Sequence, residues 1–286
     1  MLKKWPLSLG GMHSHGLNVE VIALSVWFAM LLGLVQGVTE FLPISSSGHL
    51  VLLQKVLGID TEASLFFDTM LHLGTLIAVC VVFYREIWDM LKKPIQKKVG
   101  LLLISTAITV VITLLFRDFF ESSFSGAFLG IEFLITSAIL FLNEKIAHGR
   151  KTISEMKVLE AAGVGLMQGI SVLPAVSRSG ATIAGSRFFG LKKKDAAEFS
   201  FLLSIPAIMG SVVLQLPNVI KTSIHTEPWG AIFLGMLFAC VSGYFAIRFM
   251  IRLIVKKSLV GFAWYTAALG VLILLDQLVF RVFFTG

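Results

Sequence analysis

Residues 33–48 read GLVQGVTEFLPISSSG, and residues 165–180 read GLMQGISVLPAVSRSG. Each stretch lies in an apolar run and interrupts it with glycine, proline and serine. Inside a bilayer, a helix broken this way needs neighbours to satisfy the freed backbone groups. Both stretches therefore read as two half-length helices with a turn between them, a re-entrant hairpin that dips into the membrane and returns. The first hairpin is expected over 21–60 and the second over 161–190. The stretches align at an offset of 132 residues, with a one-residue slip before the proline that is recovered after it. Phe67 and Phe199 keep that offset, and each opens a full-length apolar segment. An offset near half of a 286-residue chain indicates internal duplication.

The remaining composition fits a membrane. Hydrophobic residues make up 56% of the chain and charged residues 14%, against roughly 25% charged in an average soluble domain. Too little polar surface exists to cover a cytosolic domain, and the hydrophobicity excludes disorder. Cys80 and Cys240 both lie in apolar runs, so a disulfide-rich scaffold is excluded too. The net charge of +7 is diffuse, and no nucleic-acid-binding motif accompanies it. A spanning helix needs about 20 mostly apolar residues. Beyond the hairpins, such runs lie near 67–84, 99–116, 124–142, 199–216, 229–250 and 260–280, with Glu132 interrupting the third. The expected fold is an all-α polytopic membrane protein: six transmembrane helices plus two re-entrant helical hairpins in an inverted-topology repeat.

Three spans per copy, an odd number, invert the second copy relative to the first. Paired broken helices in inverted repeats place a site near the bilayer midplane. In this reading 1–20 is an N-terminal tail, 21–142 the first repeat, 143–160 a cytoplasmic linker and 161–286 the second repeat. His13 and His15 belong to the solvated tail. Loop charge is an independent indicator. Arg85–Lys98, Asn143–Lys157, Arg187–Lys194 and Arg248–Lys257 hold 17 of the 24 Lys and Arg residues. The positive-inside rule puts these four loops in the cytoplasm. The first hairpin then enters from outside, the second from the cytoplasm, and both termini lie outside.

Polar side chains in the broken segments are functional candidates, because a charge in hydrocarbon costs about 2.5–3.5 kcal/mol on insertion scales. The first hairpin offers Gln36, Glu40, Ser45, Ser46, Ser47 and His49; the second offers Gln168, Ser177, Arg178, Ser179 and Thr182. Ser177 to Thr182 opens a half-helix, with free N–H groups, hydroxyls and a guanidinium. That combination suits a phosphate, with Ser45 facing it from the other tip. Ser46 and His49 are three apart and share a helical face, as an activated nucleophile and its base would. Gln36 and Glu40 are four apart; a carboxylate there can orient His49, act as a base or hold a hard cation. Asp68 and His72, also four apart, are placed to line the site, and Glu132 reads as a helix-contact residue. Small and hydroxyl residues in membrane helices also serve simply to pack helices closely.

Gln36-Gly-Val-Thr-Glu40-Phe-Leu-Pro-Ile-Ser-Ser-Ser-Gly-His49 and Pro174-Ala-Val-Ser-Arg178-Ser-Gly-Ala-Thr182 resemble the two signature stretches of the undecaprenyl-diphosphatase family, the bacterial bacitracin-resistance proteins. The likeness extends to Glu198-Phe-Ser-Phe-Leu-Leu-Ser-Ile-Pro206 and covers nearly the whole chain. Ala175 stands where the family usually has Gly, and Gln36 where many members have Glu. The resemblance implies hydrolysis of a C55 polyprenyl diphosphate to the monophosphate carrier of peptidoglycan synthesis. It also implies a multi-pass protein of the bacterial plasma membrane, an active site open to the outer face, and support by a divalent cation, Mg2+ or Ca2+. Expected roles are Ser46 as nucleophile, His49 as proton carrier, and Glu40 orienting His49 or, with Gln36, binding the cation. Arg178, Ser177, Ser179, Thr182 and Ser45 would hold the diphosphate. Water activated at His49 is the competing nucleophile. A lipid flippase or transporter of a phosphorylated substrate is the alternative function, and a second copy of the chain is a candidate partner.

Overall fold

The computed structural model describes residues 16–57, 65–146, 149–222 and 229–284. His13 and His15 lie outside the described residues. Among them all extended regular structure is helical, with one isolated β-bridge between Lys151 and Leu191. The order is α1 (Gly16–Phe41), α2 (Ser46–Leu57), α3 (Leu65–Val82), α4 (Tyr84–Lys92), α5 (Lys97–Leu115), α6 (Arg117–Ser123) and α7 (Leu129–Lys145). There follow α8 (Val158–Ile170), α9 (Arg178–Phe188), α10 (Lys193–Thr222), α11 (Trp229–Lys256) and α12 (Val260–Leu275).

Helices α5, α10, α11 and α12 are long and apolar enough to cross a membrane; α3 with α4, bent by 78° between them, makes a fifth such unit. Helix α7, 17 residues with Glu132 in its first turn, completes the six long elements. The broken segments fold as hairpins α1–α2 and α8–α9. Helices α2, α8 and α9 are short, at 12, 13 and 11 residues. Helix α1 is not half-length: it runs 26 residues and starts before Val21, because nothing in Gly16–Val35 breaks a helix. Neither α4 nor α6 was anticipated from the apolar runs.

Duplication is visible in the element starts. Helix α2 begins at Ser46 and α9 at Arg178; α5 begins at Lys97 and α11 at Trp229; both pairs keep the offset of 132. Packing obeys the same exchange. Helix α1 packs on α11 of the other half, and its counterpart α8 packs on α5. Helices α3 and α10, themselves counterparts, pack on each other, as do α7 and α12. Each half therefore completes the other. The equivalent glycines Gly33 and Gly165 make these crossings close. A Cβ at Gly33 would fall on the backbone oxygen of Gly235, and one at Gly165 would lie 2.8 Å from Ser105 Cα. Small residues let helix backbones approach where lipid gives no hydrophobic drive to associate.

The core gathers Phe41, Phe83, Phe201, Leu203, Ile247 and Met250 around the inner faces of α1, α3, α10 and α11. Large apolar side chains such as Trp27, Leu103, Leu115, Phe233, Phe245 and Leu272 stand on the outside. A soluble monomer rarely exposes so continuous an apolar surface; a lipid-facing one does. Gly33→Val should destabilise the protein by about 1–3 kcal/mol through overpacking of α1 on α11. Thermal unfolding in detergent reads this as a lowered midpoint, and an unchanged midpoint would contradict the packing described.

Candidate functional site

The two hairpin turns meet inside the molecule. In the first, α1 stops at Phe41, Pro43 denies the next turn an N–H donor, and Ser45 adopts a left-handed conformation with φ 68° before α2 begins. In the second, Ser177 caps α9 by accepting from Gly180 N at 3.1 Å. Ser45 Oγ donates to the Pro174 carbonyl at 2.5 Å, and Ser179 Oγ to the Leu42 carbonyl at 3.1 Å. A Cβ on Gly48 would sit 2.9 Å from Ala175 Cα, so the tips touch only because position 48 has no side chain.

Glu40, in the last turn of α1, is the hub. Its Oε2 accepts from Gln36 Nε2 at 2.8 Å and from the Ser46 hydroxyl at the start of α2. Its Oε1 takes the guanidinium of Arg178 from the start of α9. His72 Nε2, on α3, lies 3.7 Å from Oε2. Four helices thus converge on one buried carboxylate. A buried ionised group survives only when paired and hydrogen-bonded, and Glu40 is both. Arg178 keeps Nη1 and Gln36 keeps Oε1 buried without a hydrogen-bond partner. Together they leave a strong donor and a neutral oxygen acceptor on residues that bind the Glu40 carboxylate.

The structure differs from the sequence expectation in the rest of the site. His49 is joined to neither Ser46 nor Glu40. Its Nδ1 bonds the Ser45 carbonyl at 2.5 Å and its Nε2 the Tyr265 hydroxyl at 2.7 Å. The ring stacks on Tyr265 and meets Phe133 edge-on. Ser46 and His49 do share α2, but the anionic carboxylate is the stronger acceptor and draws the hydroxyl the other way. Glu40 therefore orients Ser46, not His49. Ser45, Ser177 and Ser179 lie at the tips with their hydroxyls engaged by backbone or one another. Irregular backbone within a membrane protein must be satisfied internally, and these hydroxyls do it. Thr182 sits one turn farther along α9, where its hydroxyl pairs with Ser200 on α10 at 2.6 Å.

Further residues support the turns. Glu132 Oε2 accepts from Ala175 N at 2.8 Å, and Thr136 Oγ1 accepts from Ser177 N at 2.9 Å while donating to the Ala175 carbonyl. Glu132 is thus a contact residue, and its contact is the second hairpin turn. Asp68 is held by Gln54 Nε2 at 2.9 and 3.0 Å, and its carbonyl bonds His72 Nδ1 at 2.8 Å. Gln168 pairs with Thr109 on α5 at 3.1 Å, away from the hub. Thr136 and Tyr265 carry no sequence signal, being single polar residues in apolar helices. Among the described residues no three His, Cys, Asp or Glu side chains cluster as a metal site would.

Beside Ile44 in the first turn lies an apolar cavity of about 420 Å3, bounded by Leu253, Ser258, Gly261, Phe262 and Tyr265. Its wall includes Ile44, the residue between Pro43 and Ser45.

The profile described as "Bacitracin resistance protein BacA" matches residues 29–272. An undecaprenyl-diphosphatase of Carboxydothermus hydrogenoformans is 47% identical over 255 residues, covering 87% of this chain and 96% of that protein. An undecaprenyl-diphosphatase 3 of Bacillus cereus is 43% identical over 250 residues, with 87% and 96% covered. One from Halothermothrix orenii is 39% identical over 255 residues, with 88% and 98% covered.

Removing the hub's charge is expected to leave Arg178 buried and unpaired. Glu40→Gln should cost about 3–5 kcal/mol of stability, and Glu40→Gln with Arg178→Gln should recover part of that loss. Thermal unfolding of the wild type, both single variants and the double variant gives the coupling; strict additivity would mean the pair does not join the hairpins.

Proposed function

Because the chain belongs to the bacitracin-resistance protein family, we propose that it is a multi-pass membrane phosphatase. It hydrolyses undecaprenyl diphosphate to undecaprenyl phosphate and inorganic phosphate. This returns the lipid carrier to peptidoglycan synthesis and confers bacitracin resistance. The observation that carries the reading is the shared carboxylate: Glu40 holds a hydroxyl from one hairpin and a guanidinium from the other.

The proposed cycle begins with the diphosphate displacing Glu40 as the partner of Arg178. The guanidinium forks onto the terminal phosphate, aided by the α9 N-terminus. Glu40, released from Arg178, accepts the Ser46 proton as Oγ attacks the terminal phosphorus. The anhydride P–O bond breaks and undecaprenyl phosphate leaves with the electron pair. Arg178 compensates the charge on the transferring group. Water then cleaves phospho-Ser46, Glu40 returns the proton to Oγ, and inorganic phosphate departs. His72 Nε2, 3.7 Å from Glu40, stays beside the carboxylate during this exchange. We assign His49 to activating the water, once its bond to Tyr265 opens. Ser45, Ser177 and Ser179 shape the phosphate cradle by fixing the two turns, and Thr182 ties α9 to Ser200 of α10. The first prenyl units would occupy the cavity beside Ile44, so the tail stays in an apolar setting throughout.

For a divalent cation, the residues fit a shared site and not a resident one. Gln36 Oε1 is a buried oxygen without a partner, and Glu40 is the carboxylate that Gln36 bonds. A hard cation takes six or more oxygens, so Gln36 and Glu40 would hold a Mg2+ or Ca2+ that the diphosphate also ligates. Such an ion supplies charge neutralisation. The proposed orientation has both termini outside, which the four basic loops support; the opening of the site to the outer face rests on the family resemblance alone.

Phosphate release from a prenyl diphosphate by purified protein in detergent is the direct test; no release at any divalent concentration would overturn the reading. Arg178→Ala and Ser46→Ala should each lower kcat/KM by about 10³-fold, in protein that still elutes as a folded species. His49→Ala should accumulate phospho-Ser46, seen as added mass on the intact protein. Turnover by Ser46→Ala near the wild-type rate would instead make water the nucleophile. Gln36→Glu should keep activity and lower the cation concentration needed; lost activity would remove this helix from the cation site.

A further inference from the structure

Apart from the hub's hydrogen-bond network, α3 and α4 meet α11 around a second cavity of about 660 Å3. Val81, Val82, Tyr84, Arg85, Glu86, Tyr244 and Arg248 line it. Its two guanidiniums are held alike. Arg85 stacks on Tyr84 at 5.5 Å and donates Nε to that hydroxyl at 2.7 Å. Arg248 stacks on Tyr244 at 5.4 Å and donates Nε and Nη2 to its hydroxyl at 3.3 and 3.0 Å. Among the described residues neither has a carboxylate within ion-pair distance, although Glu86 shares the cavity wall. Tyrosine stacking orders each guanidinium in advance and leaves N–H groups for another acceptor.

The setting places this cavity at a membrane surface. The apolar span α3 ends at Val82, and the chain turns by 78° into α4. Helix α4 and the residues after it expose Tyr84, Trp88, Leu91 and Ile95 beside Arg85, Lys92 and Lys93. Lys92 lies over the Trp88 ring at 5.2 Å. Amphipathic aromatics mixed with basic residues mark the headgroup level of a bilayer. Arg252, Lys256 and Lys257 extend the basic surface along the end of α11.

From this arrangement we infer that Arg85 and Arg248 bind the phosphate of an anionic phospholipid, with Val81 and Val82 against the first part of its acyl chains. Basic pockets between membrane helices take such headgroups. The apolar floor separates a lipid from free phosphate, which shares the anionic chemistry but has no use for Val81 and Val82. The site is independent of the Glu40 hub and of the reaction proposed there.

Native mass spectrometry in neutral detergent, with phosphatidylglycerol or phosphatidylcholine added, tests this. Wild-type protein should retain phosphatidylglycerol about tenfold more strongly than phosphatidylcholine, and Arg85→Gln with Arg248→Gln should erase that preference. Hydrolysis of a short-chain prenyl diphosphate in lipid-free detergent should be unchanged in this variant. Arg85→Lys with Arg248→Lys, which keeps charge but loses the planar fork, should bind several-fold more weakly than wild type. Equal retention of both lipids by wild type, or a preference surviving in the glutamine variant, would overturn the proposal. So would wild-type-like binding by the lysine variant, or displacement of the lipid by millimolar inorganic phosphate.

Discussion

One buried ion pair, Glu40 with Arg178, holds the two halves of this protein in register. Each partner alone would be costly inside a membrane protein. Together, with Gln36, Ser46 and His72 around the carboxylate, they form a compact polar hub within an apolar bundle. The hairpin tips depend on it, and it depends on the tips: Ser45, Ser179, Thr136 and Glu132 tie each turn to the opposite half. The same carboxylate joins a serine hydroxyl from one hairpin and a guanidinium from the other, and the proposed chemistry is built on that pairing.

Duplication explains why such a hub can form. Each half carries a broken segment whose backbone needs partners, and the inverted copy presents complementary groups. The packing exchange, α1 on α11 and α8 on α5, places both turns at the centre without a domain boundary between them. The halves have since diverged at equivalent positions. Ser46 in one corresponds to Arg178 in the other, so one tip brings the hydroxyl and the other the cation. Equivalent positions in the two similar turns thus carry different polar groups.

Much of the architecture is readable in the chain. The glycine–proline breaks at 33–48 and 165–180 reveal both hairpins, and the apolar runs place the six long helices. Helices α4 and α6 escape that reading because they are short and carry charges, without an uncharged run. Gln36, Glu40, Ser46 and Arg178 stand out as polar residues where a membrane tolerates few, and they do converge. His49 stands out equally, yet its ring faces Tyr265, a residue 216 positions away.

The sequence by itself determined that this protein lives in a membrane, that two similar broken segments lie 132 residues apart, and that its candidate polar residues gather in them. Those properties follow from local composition and spacing, which each residue carries without reference to its neighbours in space. Only the tertiary structure decided which hydroxyl meets which base. Ser46 pairs with Glu40 and not with His49, and Thr182 turns to Ser200, because buried side chains choose among acceptors brought in by other helices. Helical spacing lists who shares a face; only packing places a carboxylate, a guanidinium and a phenol opposite that face.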